Sequence, residues 1–152
     1  MAAKKMAIIA SKGTLDMGYP PLILASTAAA LGWEVQVFFT FYGLQLLRKD
    51  LSGIAISPIG NPAMPMPVVV SMLPGMEAMA SSMMKGKIKK KGVASLEELR
   101  SLCQEAEVKF IACQMTVDLF EFSKSDFIDG IEYGGAATFM KFAGETDVCL
   151  FI

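Results

Sequence analysis

The sequence contains no histidine. Without an imidazole, Ser-His and Cys-His catalysis, histidine metal sites and imidazole proton shuttles are excluded. Cysteine is scarce too. Cys103, Cys113 and Cys149 are odd in number and widely spaced, so they predict neither a disulfide framework nor a metal-ligand cluster, and no cofactor is expected. Neither sign of charge is in excess: Lys plus Arg is 14 and Asp plus Glu is 15, a net charge of −1. That balance gives no footprint for a phosphate backbone, and nucleic acid is not expected as a partner. Long apolar runs are missing as well. The richest one, 63–84, is broken by prolines, a glycine and Glu77, short of the ~20 residues a membrane span needs. The N-terminus has two lysines followed by only five apolar residues, less than a signal-peptide core, which predicts a cytoplasmic protein.

What is present is apolar for its length. Hydrophobic residues make up 53% of the 152 and charged residues 19%. This predicts one domain over 1–152, with enough surplus apolar surface to favour a homo-oligomer. "MAIIA" (6–10) reads as a buried parallel strand, and "SKGTLDMG" as the polar loop after it. "YPPLILASTAAALG" (19–32) has prolines suited to a first helical turn and Gly32 as a stop, and "WEVQVFFT" (33–40) reads as a second strand. Together they form a βαβ unit, followed by a short helix in "FYGLQLLRKD".

The segment 53–75 holds five prolines and reads as a long connection. After it "GMEAMASSMMKGKIKKKG" begins helically and ends in a basic stretch expected to be a solvated loop. Met72, Met76, Met79 and Met83 fall on one helical face, which is either a ligand or soft-metal surface or, more commonly, an apolar stripe packed in a core or subunit interface. Ser95 and Glu98 predict a capping box, with Leu96, Leu99, Leu102 and Cys103 as the inward stripe of the helix. "VKFIAC", "GIEY" and "DVCLFI" supply three more strands. The whole predicts an α/β fold of three layers, α/β/α, on a mostly parallel five-stranded sheet.

The cysteines separate by position. Cys103 is expected at the edge of the sheet opposite Cys113, about 17 Å away along a five-residue strand, too far for a bridge. Cys149, inside "VCLFI", reads as a small core hydrophobe. Cys113 sits at the carboxyl end of its strand, where ligands bind in such sheets. Gln114 and Thr116 follow it, and Thr116 could cap a helix whose free N–H groups favour a thiolate. The alternative is a buried structural cysteine. Around Cys113, Lys12 and Gly13 of the first loop could approach an anionic sulfur, with Asp16 capping the first helix and ordering that loop. Gly134 and Gly135 permit close backbone approach or simply form a turn.

"SKGTLDMGYPPLILASTAAALGWEVQVFFTFYGL", "VKFIACQMTVDLF" and "DFIDGIEYGGAATFM" together resemble the DsrE/DsrF/DsrH-like family, most closely its DsrE2-type branch, whose members are sometimes labelled peroxiredoxin-family proteins. The resemblance covers nearly the whole chain. It implies the same α/β fold, oligomeric assembly, and cytoplasmic sulfur transfer on the cysteine that matches Cys113, held as a persulfide or thiosulfonate-type adduct and exchanged with a TusA-like carrier. Some relatives carry a second functional cysteine, for which Cys103 is the candidate position in this sequence. Peroxidase activity does not follow, since no peroxidatic signature surrounds Cys113. Three readings stand at this point: a possible sulfurtransferase, a thiol redox or peroxide-reducing protein, and a noncatalytic oligomeric binding module.

Overall fold

The computed structural model describes residues 2–57 and 73–152. Much of the proline-rich connection, and Met72 of the methionine series, lie outside the described residues. The element order is β1 (Lys5–Ala10), α1 (Leu15–Ala30), β2 (Glu34–Phe39), a 3-10 segment (Phe41–Leu47), α2 (Met76–Lys90), α3 (Leu96–Glu105), β3 (Lys109–Cys113), α4 (Gln114–Leu119), β4 (Glu132–Gly134), α5 (Ala136–Ala143) and β5 (Val148–Phe151). The five strands pair in the order β4-β3-β2-β1-β5, and every pairing is parallel. This is the expected α/β architecture.

The two faces of the sheet are covered unequally. One packs Ile8, Val37, Phe39 and Phe110 against Leu22 and Ala25 of α1 and Leu96, Leu99 and Cys103 of α3, a broad core closed by Leu44, Leu46 and Leu47 of the 3-10 segment. Among the described residues, the other carries Ala7, Phe38, Ile111 and Cys113 beneath Phe139 and Phe142 of α5. The Phe38 and Phe139 rings stack there at 4.9 Å. An eight-residue helix is about 12 Å long and cannot roof five strands. Phe151 of β5 is consequently exposed.

That asymmetry corrects one expectation. Cys149 is exposed, not a core residue, because the apolar run of β5 is covered on one side only. Three other readings change for equally local reasons. Helix α1 begins at Leu15, so Pro20 and Pro21 fall inside it; burial of Leu15, Gly18, Pro21 and Leu22 offsets the backbone hydrogen bonds that the prolines remove. The lysine-rich stretch continues α2 to Lys90 instead of forming a loop, with Lys87, Lys89 and Lys90 favourably placed in the last turn. On that helix Met79 and Met83 face outward, while Ala80 and Ser81 are buried. In α3 the capping box forms as expected, Ser95 Oγ accepting the Glu98 N–H at 3.1 Å and Glu98 Oε2 the Ser95 N–H at 2.7 Å. Its buried stripe is Leu96, Leu99, Arg100 and Cys103, with Leu102 exposed. Arg100 donates to the carbonyls of Leu46 and Arg48 at 2.8 and 2.7 Å, pinning the far end of the 3-10 segment to α3.

The near end of that segment is fixed by absence of side chains. A Cβ on Gly43 would strike the Ala10 carbonyl oxygen, and one on Gly13 would strike that of Tyr42. The loop after β1 and the segment after β2 therefore lie in direct backbone contact beside the end of β3.

Candidate functional site

Strand β3 delivers Cys113 to the carboxyl edge of the sheet, and α4 starts at the next residue. Cys113 pairs with Gly134, which stands one residue before the N-cap of α5, Gly135. On its other side Ala112 pairs with Phe39, so Thr40 comes abreast of Cys113. The sulfur thus lies among the exits of β2, β3 and β4. Cys113 is only 5% exposed.

Thr116 was expected to cap α4. Instead Cys113 is the N-cap residue, and Thr116 lies inside the helix with no exposed surface. Its Oγ1 accepts the Phe41 N–H at 3.1 Å and lies 3.4 Å from Thr40 Oγ1. Burial pushes the Cys113 thiol up, but hydrogen bonds from the Thr116 hydroxyl and N–H, the Thr40 hydroxyl and the Met115 N–H stabilise the thiolate more, and its pKa is lowered overall. Sequence reasoning picked out Thr116 but gave it the wrong task, and it passed over Thr40. The parallel register from Phe39 to Ala112 is the signal that could have found Thr40, and it is visible only once the strands are paired.

The other expected residues divide by place. Gly134 adjoins Cys113 directly, and Gly135 opens α5 with room for a side chain. Gln114 turns away to Asp118, its Nε2 donating to Oδ1 at 2.7 Å. Lys12 and Gly13 lie on the loop after β1, two strands or roughly 10 Å across the sheet. Lys12 is exposed, and no charged side chain contributes to the ionisation of Cys113. Asp16 accepts the Ser57 N–H at 3.0 Å, while Thr14 holds the N-cap position of α1.

Neither remaining thiol reaches Cys113 within the chain. The Cys103 carbonyl accepts the Val108 N–H where β3 begins, about 17 Å back along that strand. Cys103 is fully buried, its thiol donates to the Leu22 carbonyl at 3.4 Å, and burial pushes its pKa up to about 12. Cys149 pairs with Ala7 on β5, three strands across from β3 and about four residues behind Cys113, roughly 20 Å in all. A resolving partner for Cys113 does not exist in one chain. Among the described residues no group of three or more His, Cys, Asp or Glu is placed to hold a metal ion. No helix among them is long and apolar enough to cross a membrane.

The chain matches a known family over nearly its whole length. The sequence profile of the DsrE/DsrF/DrsH-like family covers residues 2–151. The chain belongs to that family. Among its DsrE-like relatives, the "Sulfur carrier protein DsrE2" of Allochromatium vinosum is 65% identical over 100% of both chains. The "Uncharacterized protein YrkE" of Bacillus subtilis is 34% identical over 98% of this chain and 97% of its own. The crystal structure of the ychN protein from E. coli superposes with a TM-score of 0.59 at 12% identity, covering 98% of this chain and 99% of the other. That likeness places the DsrE-like fold beyond the reach of sequence identity.

Proposed function

We propose that this DsrE-like protein carries sulfur on Cys113, as a persulfide or thiosulfonate-type adduct, and exchanges it with a small TusA-like carrier protein in the cytoplasm. One observation carries the reading: of the three cysteines, Cys113 alone joins a strand-end position to a lowered thiol pKa. The relative named as a sulfur carrier, identical at 65% of positions, supports it. The transfer is balanced without an oxidant. The Cys113 thiolate attacks the terminal sulfur of a donor persulfide, a new S–S bond forms at Cys113, the donor's S–S bond breaks, and the donor leaves as a thiolate. Passage to the acceptor is the same exchange in reverse. Hydroxyl and backbone donors that favour the incoming thiolate also favour it when it becomes the leaving group.

Assembly belongs to the same proposal. Phe151 at 72% exposure lies on the sheet face that the described residues leave open, on the same strand as the exposed Cys149, and Met140 of α5 is 61% exposed. A second subunit covering that face would bury Phe151, so a homo-oligomer is expected. Light scattering tests this, and a monodisperse monomer at micromolar concentration would refute it.

The decisive measurement for the function is peptide mapping by mass spectrometry after polysulfide treatment. Cys113 should carry the added sulfur and should release it to a TusA-like acceptor. A stable adduct on Cys103 or Cys149, with Cys113 unmodified, would overturn the assignment.

A further inference from the structure

The fully buried Thr116 presents a second question at the exit of β3. Inside a helix a threonine hydroxyl commonly turns back to the carbonyl four residues earlier. Here its oxygen takes the Phe41 N–H instead, and Phe41 offers that N–H from a left-handed backbone, φ 47°, a region that bulky side chains seldom occupy. With the oxygen engaged as an acceptor, the Thr116 proton is free to be donated. Thr40 Oγ1 stands 3.4 Å from the Thr116 oxygen, and Cys113 lies three residues earlier at the N-cap of the same helix, where the Thr116 hydroxyl acts to lower the thiol pKa. Thr40 arrives at the same point independently, carried there by the β2–β3 register.

Resting on the reading of Cys113 as the sulfur-bearing thiol, we infer that Thr116, backed by the Phe41 N–H and flanked by Thr40, is the positioning residue that orients and ionises Cys113. Two hydroxyls supply what a histidine or lysine supplies at other reactive cysteines. The titratable groups on the surrounding elements are Lys12 after β1, Tyr42 in the 3-10 segment, Asp118 on α4, Glu132 and Tyr133 on β4 and Lys141 on α5. None contributes a charge interaction to the thiol, so ionisation is governed by the hydroxyl and backbone donors. The network also explains why the 3-10 segment is fastened at both ends, by Gly43 and by Arg100. Its first residue must deliver one N–H to one oxygen.

The test is the rate of iodoacetamide alkylation at Cys113, followed by peptide mapping from about pH 6 to about pH 10. Thr116→Val should move the midpoint upward by about one unit, a tenfold loss of thiolate near neutrality, and Thr116→Ser should restore it. Thr40→Val, at a half-buried position, should shift the midpoint in the same direction by less; it keeps the inference testable should Thr116→Val fail to fold. An unchanged midpoint in the folded valine variants would overturn it, even if sulfur loading at Cys113 is normal. Shifted midpoints in a protein that never loads sulfur would support the positioning role and remove the carrier function instead.

Discussion

A buried cysteine lies towards each end of β3, Cys103 on the helix before it and Cys113 on its last residue, and the two behave in opposite ways. Cys103 is 0% exposed and Cys113 is 5% exposed, yet the first thiol is pushed up to about 12 and the second is lowered. Burial acts on both in the same direction. The difference lies in what surrounds each sulfur. Cys103 donates its own proton to the Leu22 carbonyl, and against its full burial only the Ser26 N–H acts in favour of the thiolate. Around Cys113 the hydroxyls of Thr116 and Thr40 and the N–H groups of Met115 and Thr116 together favour the thiolate more than burial opposes it. Concealment of a cysteine therefore says little about its reactivity until the direction of its hydrogen bonds is known.

The largest expected effect falls on the Cys113 end. Cys113→Ser should abolish sulfur loading and transfer while changing unfolding stability by less than about 1 kcal/mol, since a serine hydroxyl accepts the same donors but cannot hold a persulfide. Normal transfer together with a clearly lower melting temperature would make both cysteines structural and dissolve the contrast.

Differential alkylation sharpens the comparison without mutation. With a pKa of about 12, Cys103 is a thiolate in only about one molecule in 10⁴ at pH 8, and it has no exposed surface. Cys113 should be labelled in the native protein and Cys103 only as fast as the chain unfolds. Equal rates at the two sites would break the distinction.

The interior of the α1–α3 face was largely legible in advance. Apolar runs of strand length marked β1, β2, β3 and β5, and Ser95 with Glu98 marked the start of α3, because these signals are local. Leu102 and Arg100 exchanged places for a reason that is not local: the buried guanidinium is satisfied by carbonyls about fifty residues earlier in the chain. Cys149 was misplaced because an apolar strand implies cover on both faces, and α5 is too short to provide it. At the site, Cys113 could be read from its strand end, whereas the Thr40–Thr116 contact depends on strand register and on the backbone turn at Phe41.

Smaller effects follow at Cys103. Cys103→Ala should cost roughly 1–2 kcal/mol by leaving a small cavity, with sulfur loading unchanged, as urea titration and peptide mapping can check. That cost should depend on pH. Because folding raises the Cys103 pKa, the folded chain retains a proton that the unfolded chain releases above about pH 9. Its contribution to stability is intact below that value and is lost toward about pH 12, by about 1.4 kcal/mol per unit. The gap between wild type and Cys103→Ala should therefore close within one to two units above about pH 9 and then reverse; a constant gap would refute the high pKa. Smallest of all, Cys149→Ser should leave loading unaltered and stability within about 0.5 kcal/mol, as expected at an exposed position.

The place of β5 in the sheet also bears on the birth of the protein. β1 pairs with β2 on one side and with β5 on the other, so Ile9 waits for Phe151 and Ser11 for the Ile152 carbonyl. At roughly 5–20 residues per second of synthesis, one edge of β1 stays open for roughly 7–30 s after it is made. An unpaired apolar strand edge invites the wrong partner during that interval. β5, which completes that edge, is the last of the five strands to appear, and the nascent chain is in need of a chaperone until it does.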